Sequence, residues 1–363
     1  LVLLDGQDET AATAALGAEK VRGLQFDPSA AHLVALISGG TNIHGSPSYF
    51  VKMRMPSLEV VWRKPVFSEV VGLEKWTPDN SDSMAVSEDR YVLHSAGQCV
   101  GDTWCEGHQG DLLRVLDAAT GEPVPGEAAD WASSHSCKQM VAYNQKSDSF
   151  LIANAGDYYP KALQFTGYTA KRHLGVKLRF ESWGNGGGKQ GVTQGAISAD
   201  SAGTGFGAVW SYGLEAGEPD KLYFAVINTS TVPKNVTWRG APKKVFPAST
   251  TSQLGSNIAP LGGGRWLVAY TESATDVVTD YLKIYFDNWG LPQDVRDSGS
   301  RLAVLSPDGE VIGEPVDISA LGAPFPVEVN HLLDRPAGVG WMALGGAGSD
   351  TAKVMQLRCQ RDA

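Results

Sequence analysis

The chain repeats one pattern of apolar and polar positions six times. In each unit a short apolar strand ends in a turn, and a second strand then opens with a large apolar residue and ends in small or polar ones. The turns carry Gly, Pro, Asp, Asn or Ser, the residues that favour chain reversal. The large apolar residues lie at intervals of 58, 59, 56, 60 and 73 residues, and they are Leu33, Tyr91, Phe150, Phe206, Trp266 and Val339.

Further strands complete each unit. A third strand such as DLLRVLDAATG follows the second, and fourth strands are indicated by LEVVWRK, VKLRFES and EVIGEPVDI. Four strands in a period of about 40 to 60 residues are typical of the blade of a β-propeller. The sequence therefore predicts an all-β fold, a six-bladed β-propeller in a single domain over residues 1–363.

The two ends of the chain predict how the ring closes. The segment LVLLDG at the start is a strand with nothing before it to pair with, and the last unit, which ends at Cys359, has no fourth strand. Pairing the N-terminal strand into the last blade would hide both open edges. The predicted blades span approximately 22–75, 76–130, 131–182, 183–247, 248–320, and 321–363 together with 1–6.

Two segments depart from the pattern. Residues 11–20, AATAALGAEK, show helical periodicity and predict a single helix or a loop that crosses to the first blade. The long fifth interval predicts an insertion over approximately Glu272 to Ser300, between a second and a third strand. Neither segment changes the predicted fold class.

Composition and charge narrow the function classes. Forty-two glycines, ten tryptophans and 19% charged residues are typical of a turn-rich globular β-protein. The formal net charge of −10, with no basic cluster, disfavours nucleic acid as a partner. No apolar run reaches the roughly 18 residues of a membrane helix, so no transmembrane segment is predicted. The expected partner is a glycan or protein ligand.

The cysteines bear on the compartment. Cys99 and Cys105 bracket a short polar loop, which predicts a local disulfide and a secreted or extracellular protein, with the periplasm as an alternative. Three other interpretations remain open: reduced thiols, a bond between Cys105 and Cys137, and a zinc site formed with His94 and His108.

Two hairpins resemble a known repeat. DLLRVLDAATGEPV is similar to the third-to-fourth-strand hairpin of quinoprotein-type propeller repeats, and VLSPDGEVIGEP is similar to it more loosely. Together they cover about a tenth of the chain, so the resemblance implies the propeller architecture alone. The tryptophan that recurs in most blades of that family is missing from this sequence, and no quinone is implied. We expect no cofactor and no metal.

One face of the predicted propeller collects the polar loops. The loops that enter first strands and the loops that join second to third strands open on the same face, and long loops on a rigid scaffold usually carry function. Histidine there could transfer protons, and tryptophan could stack on a sugar ring. The alternative is structural, with the polar groups hydrating the channel and the tryptophans packing between blades. The candidate ligand residues are His135, Lys138, Asp157, Tyr158, Tyr159, Trp183, Lys189, Gln194, Asn257 and His331.

Three functions compete at this point. The first is an extracellular recognition module that presents one face to a glycan or protein. The second is a carbohydrate-active enzyme, a polysaccharide lyase or glycoside hydrolase, and the third is a structural subunit of an extracellular assembly. The enzyme would use residues already named, with a lysine to neutralise a uronic carboxylate: His135, His331, Tyr158 or Tyr159, and Lys138 or Lys189.

Overall fold

The structure is a computed structural model. It describes residues 2–4, 10–13, 20–38, 48–65, 76–78, 83–99, 109–125, 129–131, 140–156, 162–169, 178–181, 192–213, 219–229, 236–274, 299–319, 333–335, 338–344 and 352–358. Within these ranges the chain forms 27 β-strands, a 3-10 turn at Gly262–Gly264, and no α-helix. The predicted all-β class is confirmed.

The chain divides into two compact units. The first comprises Leu1–Tyr158 and Ala170–Arg172, and the second comprises Tyr159–Thr169 and His173–Ala363. The strands of the first unit are β1 (Val2–Leu4), β2 (Thr10–Thr13), β3 (Lys20–Phe26), β4 (His32–Ser38), β5 (Ser48–Arg54), β6 (Glu59–Pro65), β7 (Trp76–Pro78), β8 (Ser83–Val86), β9 (Arg90–Cys99), β10 (Gln109–Asp117), β11 (Ala129–Trp131), β12 (Met140–Asn144) and β13 (Ser149–Gly156).

The second unit continues the same succession of strands. They are β14 (Ala162–Thr169), β15 (Leu178–Glu181), β16 (Val192–Ala199), β17 (Gly205–Tyr212), β18 (Lys221–Thr229), β19 (Val236–Trp238), β20 (Lys243–Lys244), β21 (Ser252–Pro260), β22 (Trp266–Ser273), β23 (Ser300–Leu305), β24 (Val311–Asp317), β25 (Leu333–Arg335), β26 (Gly338–Leu344) and β27 (Ala352–Arg358).

The order of strands within the sheets is that of propeller blades. Four sheets contain four antiparallel strands in chain order, namely β3–β6, β12–β15, β16–β19 and β21–β24. In another sheet β7 and β8 both pair with β9, which continues to β10 and β11, and the last sheet contains β25–β27. Repeated four-stranded meanders of this kind define a β-propeller. Four blades are complete among the described residues, so the predicted six-bladed ring is not confirmed.

The N-terminal strand does not form the predicted closure in this structure. β1 pairs antiparallel with β2, with Val2 opposite Thr13, and not with the last sheet. The prediction of a helix or a crossing loop over residues 11–20 is wrong where the structure describes the segment, because Thr10–Thr13 is a strand and Lys20 begins β3. Pairing with a strand a few residues away has a lower entropic cost of loop closure than pairing with a strand at the far end of the chain.

The strands predicted from periodicity are confirmed. The six second strands correspond to β4, β9, β13, β17, β22 and β26. The three predicted fourth strands correspond to β6, β15 and β24. Most of the predicted insertion before β23 lies outside the described residues.

Each unit has an apolar core between its own sheets. In the first unit Tyr91 is fully buried, and its ring centroid lies 6.1 Å from that of Phe50 and 5.5 Å from that of Trp62. In the second unit Phe224 packs against Trp266, with ring centroids 6.1 Å apart. Strand β17 is buried at every position, as expected of a strand with both faces covered.

Among the described residues no helix is long and apolar enough to span a bilayer.

Candidate functional site

An open cleft of about 360 Å³ lies in the second unit, where β17 ends and β18 begins. It is bounded by the end of a second strand, the start of a third strand and the segment that leads into the first strand β21. These are the two loop classes that the sequence analysis placed on the ligand face. We call it the tyrosine–lysine cleft, and it is lined by Tyr212, Gly213, Pro219, Lys221, Tyr223, Lys244, Ser249 and Thr250.

Strand register places the tyrosines and lysines on one face of the sheet. Tyr212 lies opposite Lys221 across β17 and β18, and Tyr223 lies opposite Lys244 across β18 and β20. Directly opposed residues project from the same face of a sheet. Trp210 lies opposite Tyr223, two residues before Tyr212, and therefore shares that face as well.

The floor of the cleft is fixed by aromatic packing. The Tyr223 ring stacks on Trp210 with centroids 5.9 Å apart and an interplanar angle of 8°. The Phe180 ring on β15 packs edge-on against Tyr212, with ring centroids 5.6 Å apart, and against Tyr223, with ring centroids 5.1 Å apart. Tyr212 and Tyr223 are 5% and 9% exposed, so only a small part of each reaches the cleft. Burial raises the pKa of the Tyr223 phenol, which keeps it protonated near neutral pH.

The cleft is cationic. Lys244 is exposed, and its Nζ lies 6.0 Å from the centroid of the Tyr223 ring, within the range of a cation–π contact. The Lys221 ammonium donates a hydrogen bond to the Ser249 carbonyl oxygen. No carboxylate is found among the described residues that line the cleft. A negative group on a ligand would therefore meet Lys244 at the entrance.

Buried polar groups hold the rim of the cleft. The Gln253 amide, 1% exposed, donates from Nε2 to the Ser249 Oγ and to the Thr251 carbonyl, both at 2.7 Å. Its Oε1 accepts from the Leu222 backbone N–H at 3.3 Å, which ties the rim to β18. Thr251 Oγ1 also donates to Glu272 at 2.6 Å. A rim held in this way is organised before any ligand arrives.

Most of the residues predicted from the sequence are not described. The structure places Gln194 in β16 and Asn257 in β21, where Asn257 is buried and does not line the cleft. The other candidate ligand residues remain predictions outside the described ranges, namely His135, Lys138, Asp157, Tyr158, Tyr159, Trp183, Lys189 and His331.

The predicted disulfide is not confirmed. Cys99 ends β9 opposite Trp76, and Cys105 lies outside the described residues. His94, considered for a zinc site, is 1% exposed, and its Nδ1 lies 3.2 Å from the Met140 carbonyl oxygen. Its surroundings are those of a core residue.

Sequence reasoning missed the residues of the cleft. The sequence predicts Tyr212 and Tyr223 as strand residues and gives Lys244 no role at a site, although the loop between β17 and β18 belongs to the predicted ligand face. A usable signal was present, because Trp210 and Tyr212 alternate on a strand that ends at this loop, and Tyr223 is the third residue of the returning strand.

No protein-family model matches this chain, and a comparison with curated proteins finds no match. Among solved structures, the chain is similar to a prolyl endopeptidase, with a TM-score of 0.44 and 11% identity over 92% of this chain and 37% of that one. The chain thus spans about a third of that protein's length.

Two other similar structures are matched over most of their own length. The endo-arabinase from Bacteroides thetaiotaomicron has a TM-score of 0.38 and 12% identity over 71% of this chain and 93% of that one. The β-propeller domain of the Trilobed protease from Pyrococcus furiosus has a TM-score of 0.37 and 10% identity over 95% of this chain and 100% of that one. These similarities do not indicate an activity, and the propeller fold is assigned from the order of strands in the sheets.

Proposed function

We propose that this β-propeller is an extracellular recognition module and that it binds a glycan in the tyrosine–lysine cleft. The observation that carries the proposal is the cleft itself. It combines a rigid aromatic floor with hydroxyl and ammonium groups, and its rim is fixed by Gln253. Saccharides are bound in such sites through apolar contacts to their ring carbons and hydrogen bonds to their hydroxyls.

The lining chemistry supports recognition over hydrolysis. Glycoside hydrolysis generally needs two carboxyl groups flanking the scissile bond. The described lining residues include none, and Tyr223 is a neutral phenol near neutral pH, because burial raises its pKa. Glu215 and Glu218 belong to the loop between β17 and β18, outside the described residues, and the experiment below therefore tests turnover directly.

A polysaccharide lyase is the second candidate. Tyrosine and lysine in one cleft are residue types that β-elimination uses, with the lysine neutralising the uronic carboxylate and the tyrosine returning a proton. The raised pKa of Tyr223 disfavours this phenol as the base, because its deprotonated form is a minor species near neutral pH.

We also propose that the six repeated units form the six blades of one propeller. The recurrence of a second strand paired with strands on both sides in six successive sheets supports it. An experimental structure that describes the whole chain tests the number of blades, and five or seven blades would refute it.

The binding proposal is tested by filling the cleft. Thr250 is exposed on the rim, and Thr250→Trp should abolish binding on an array of neutral and acidic oligosaccharides. The matched control is Ala202→Trp, at an exposed turn at the other end of β17. We expect the control to bind like the wild type.

Product detection on the same oligosaccharides distinguishes the two candidates. Binding without products supports recognition. Products that disappear in Thr250→Trp and persist in Ala202→Trp would establish an enzyme. Binding that survives Thr250→Trp, or no binding to any saccharide, would refute the proposal.

A further inference from the structure

We infer that the tyrosine–lysine cleft selects an anionic saccharide and that Lys244 binds its carboxylate or sulfate group. This inference rests on the proposed function, because it names the class of ligand for the same cleft. It is carried by the different surroundings of two adjacent lysines, Lys243 and Lys244.

The two lysines project from opposite faces of β20. Lys243 donates to Glu310 at 2.7 Å, and this partner raises the pKa of the Lys243 ammonium. Lys244 lies over the Tyr223 ring instead, and among the described residues it forms no ion pair with a carboxylate. The charge of Lys243 is therefore neutralised within the protein, while that of Lys244 is left for a ligand.

The second cation of the cleft adds to the positive potential. The Lys221 ammonium also lines the cleft, where it donates to the Ser249 carbonyl oxygen. Two lysines thus line one cleft in a chain whose net charge is −10. Ammonium groups in a cleft attract anions more strongly than they would on an open surface.

The hydroxyl groups suit a saccharide that carries the negative charge. Ser249 and Thr250 line the same cleft, and a buried phenol that stays protonated adds a donor at its floor. Carboxylates and sulfates accept charge-assisted hydrogen bonds from an ammonium, while the sugar hydroxyls can pair with these neutral groups.

Calorimetry with matched trisaccharides tests the inference on the full chain. The probes are trigalacturonate, a sulfated galactose trisaccharide and the neutral galactose trisaccharide. We expect one or both of the anionic probes to bind at least tenfold more tightly than the neutral one. A difference of about tenfold corresponds to one charge-assisted hydrogen bond. The two anionic probes identify which group is preferred. Raising the salt concentration should weaken the binding of the preferred anion.

Variants assign the selection to one side chain. Lys244→Ala should lower the affinity for the preferred anionic probe by about 10-fold or more and leave the affinity for the neutral probe unchanged. Lys244→Arg should retain most of the selectivity. Lys243→Ala removes the same formal charge from the next residue and is the matched control, for which we expect no change. Both lysines are exposed, so these variants should fold.

Several results would overturn the inference and leave the glycan proposal standing. They are equal affinity for neutral and anionic probes, or an equal effect of Lys244→Ala and Lys243→Ala.

The double variant Glu215→Gln/Glu218→Gln should bind the anion as tightly as the wild type or more tightly. A loss in that variant would show that carboxylates hold the ligand through a cation, which also contradicts the inference. No binding of any saccharide would instead refute the proposed function.

Discussion

The rim of the cleft offers a prediction of defined size. Replacing Gln253 with Leu keeps a side chain of similar length and removes four hydrogen bonds. Nε2 donates two of them at 2.7 Å and a longer one to Thr251 Oγ1 at 3.5 Å, and Oε1 accepts the fourth at 3.3 Å. The residue is 1% exposed, so water does not replace these partners. At about 0.5 to 1.5 kcal/mol for each bond, partly offset by the apolar side chain, we expect a loss of about 2 to 4 kcal/mol.

A second glutamine provides the comparison. Gln25 is half-buried and donates one hydrogen bond, to the Met84 carbonyl oxygen at 2.8 Å. Gln25→Leu should cost about 1 kcal/mol or less, because one bond is lost and water can reach the site. The two variants apply the same chemical change to sites that differ in burial and in the number of bonds.

Urea unfolding followed by tryptophan fluorescence measures both losses. Amide hydrogen exchange of β18 and β21 then locates the effect of Gln253→Leu, because local stability is reported segment by segment even when unfolding is not two-state. A loss for Gln253→Leu that is no larger than that for Gln25→Leu would refute the reasoning. So would unchanged exchange in both strands.

Three further predictions concern packing, charge and covalent structure. Gly207→Ala would place a Cβ 2.8 Å from a buried indole ring and should cost about 1 to 3 kcal/mol by urea unfolding, whereas Gly262→Ala, with no atom within 4 Å, should be neutral. Hydrogen bonds from the backbone of the following turn lower the pKa of Asp117 below 3.8, so its contribution is present above that pH and is lost as the pH falls through the folded pKa. Asp117→Asn should therefore flatten the acid side of the stability profile below about pH 4, and parallel profiles would contradict this. The bond between Cys99 and Cys105 remains a prediction of the sequence alone. Peptide mapping after thiol labelling tests it, and two free thiols or a bond from either cysteine to Cys137 would disprove it.

The repeat could be predicted from the sequence because it depends on local alternation. A strand with one pattern of large apolar and small residues, followed by a turn residue, has the same preference wherever it occurs in the chain. The second strands at Leu33, Phe206 and Trp266 were found in this way. The predicted ligand face followed from connectivity and stays a prediction, and the cleft lies among the loops assigned to that face.

Pairing was decided by the tertiary structure. The N-terminal strand has the pattern of an edge strand, and that pattern is satisfied equally by Thr10–Thr13 and by a strand at the far end of the chain. The sequence of residues 11–20 favours a helix locally, yet the described part pairs as a strand, because hydrogen bonds to a neighbouring strand outweigh weak intrinsic propensity.

By itself, the amino-acid sequence determined the β class, the succession of strands and the acidic net charge. The tertiary structure alone decided that Tyr212, Tyr223 and Lys244 share one cleft and that Lys243 does not contribute to it. The physical reason is register. A strand exposes alternate residues on opposite faces, so a shift of one residue in the pairing of β18 and β20 would exchange the two lysines. That register is set by contacts between strands that are distant in sequence, and no local pattern specifies it.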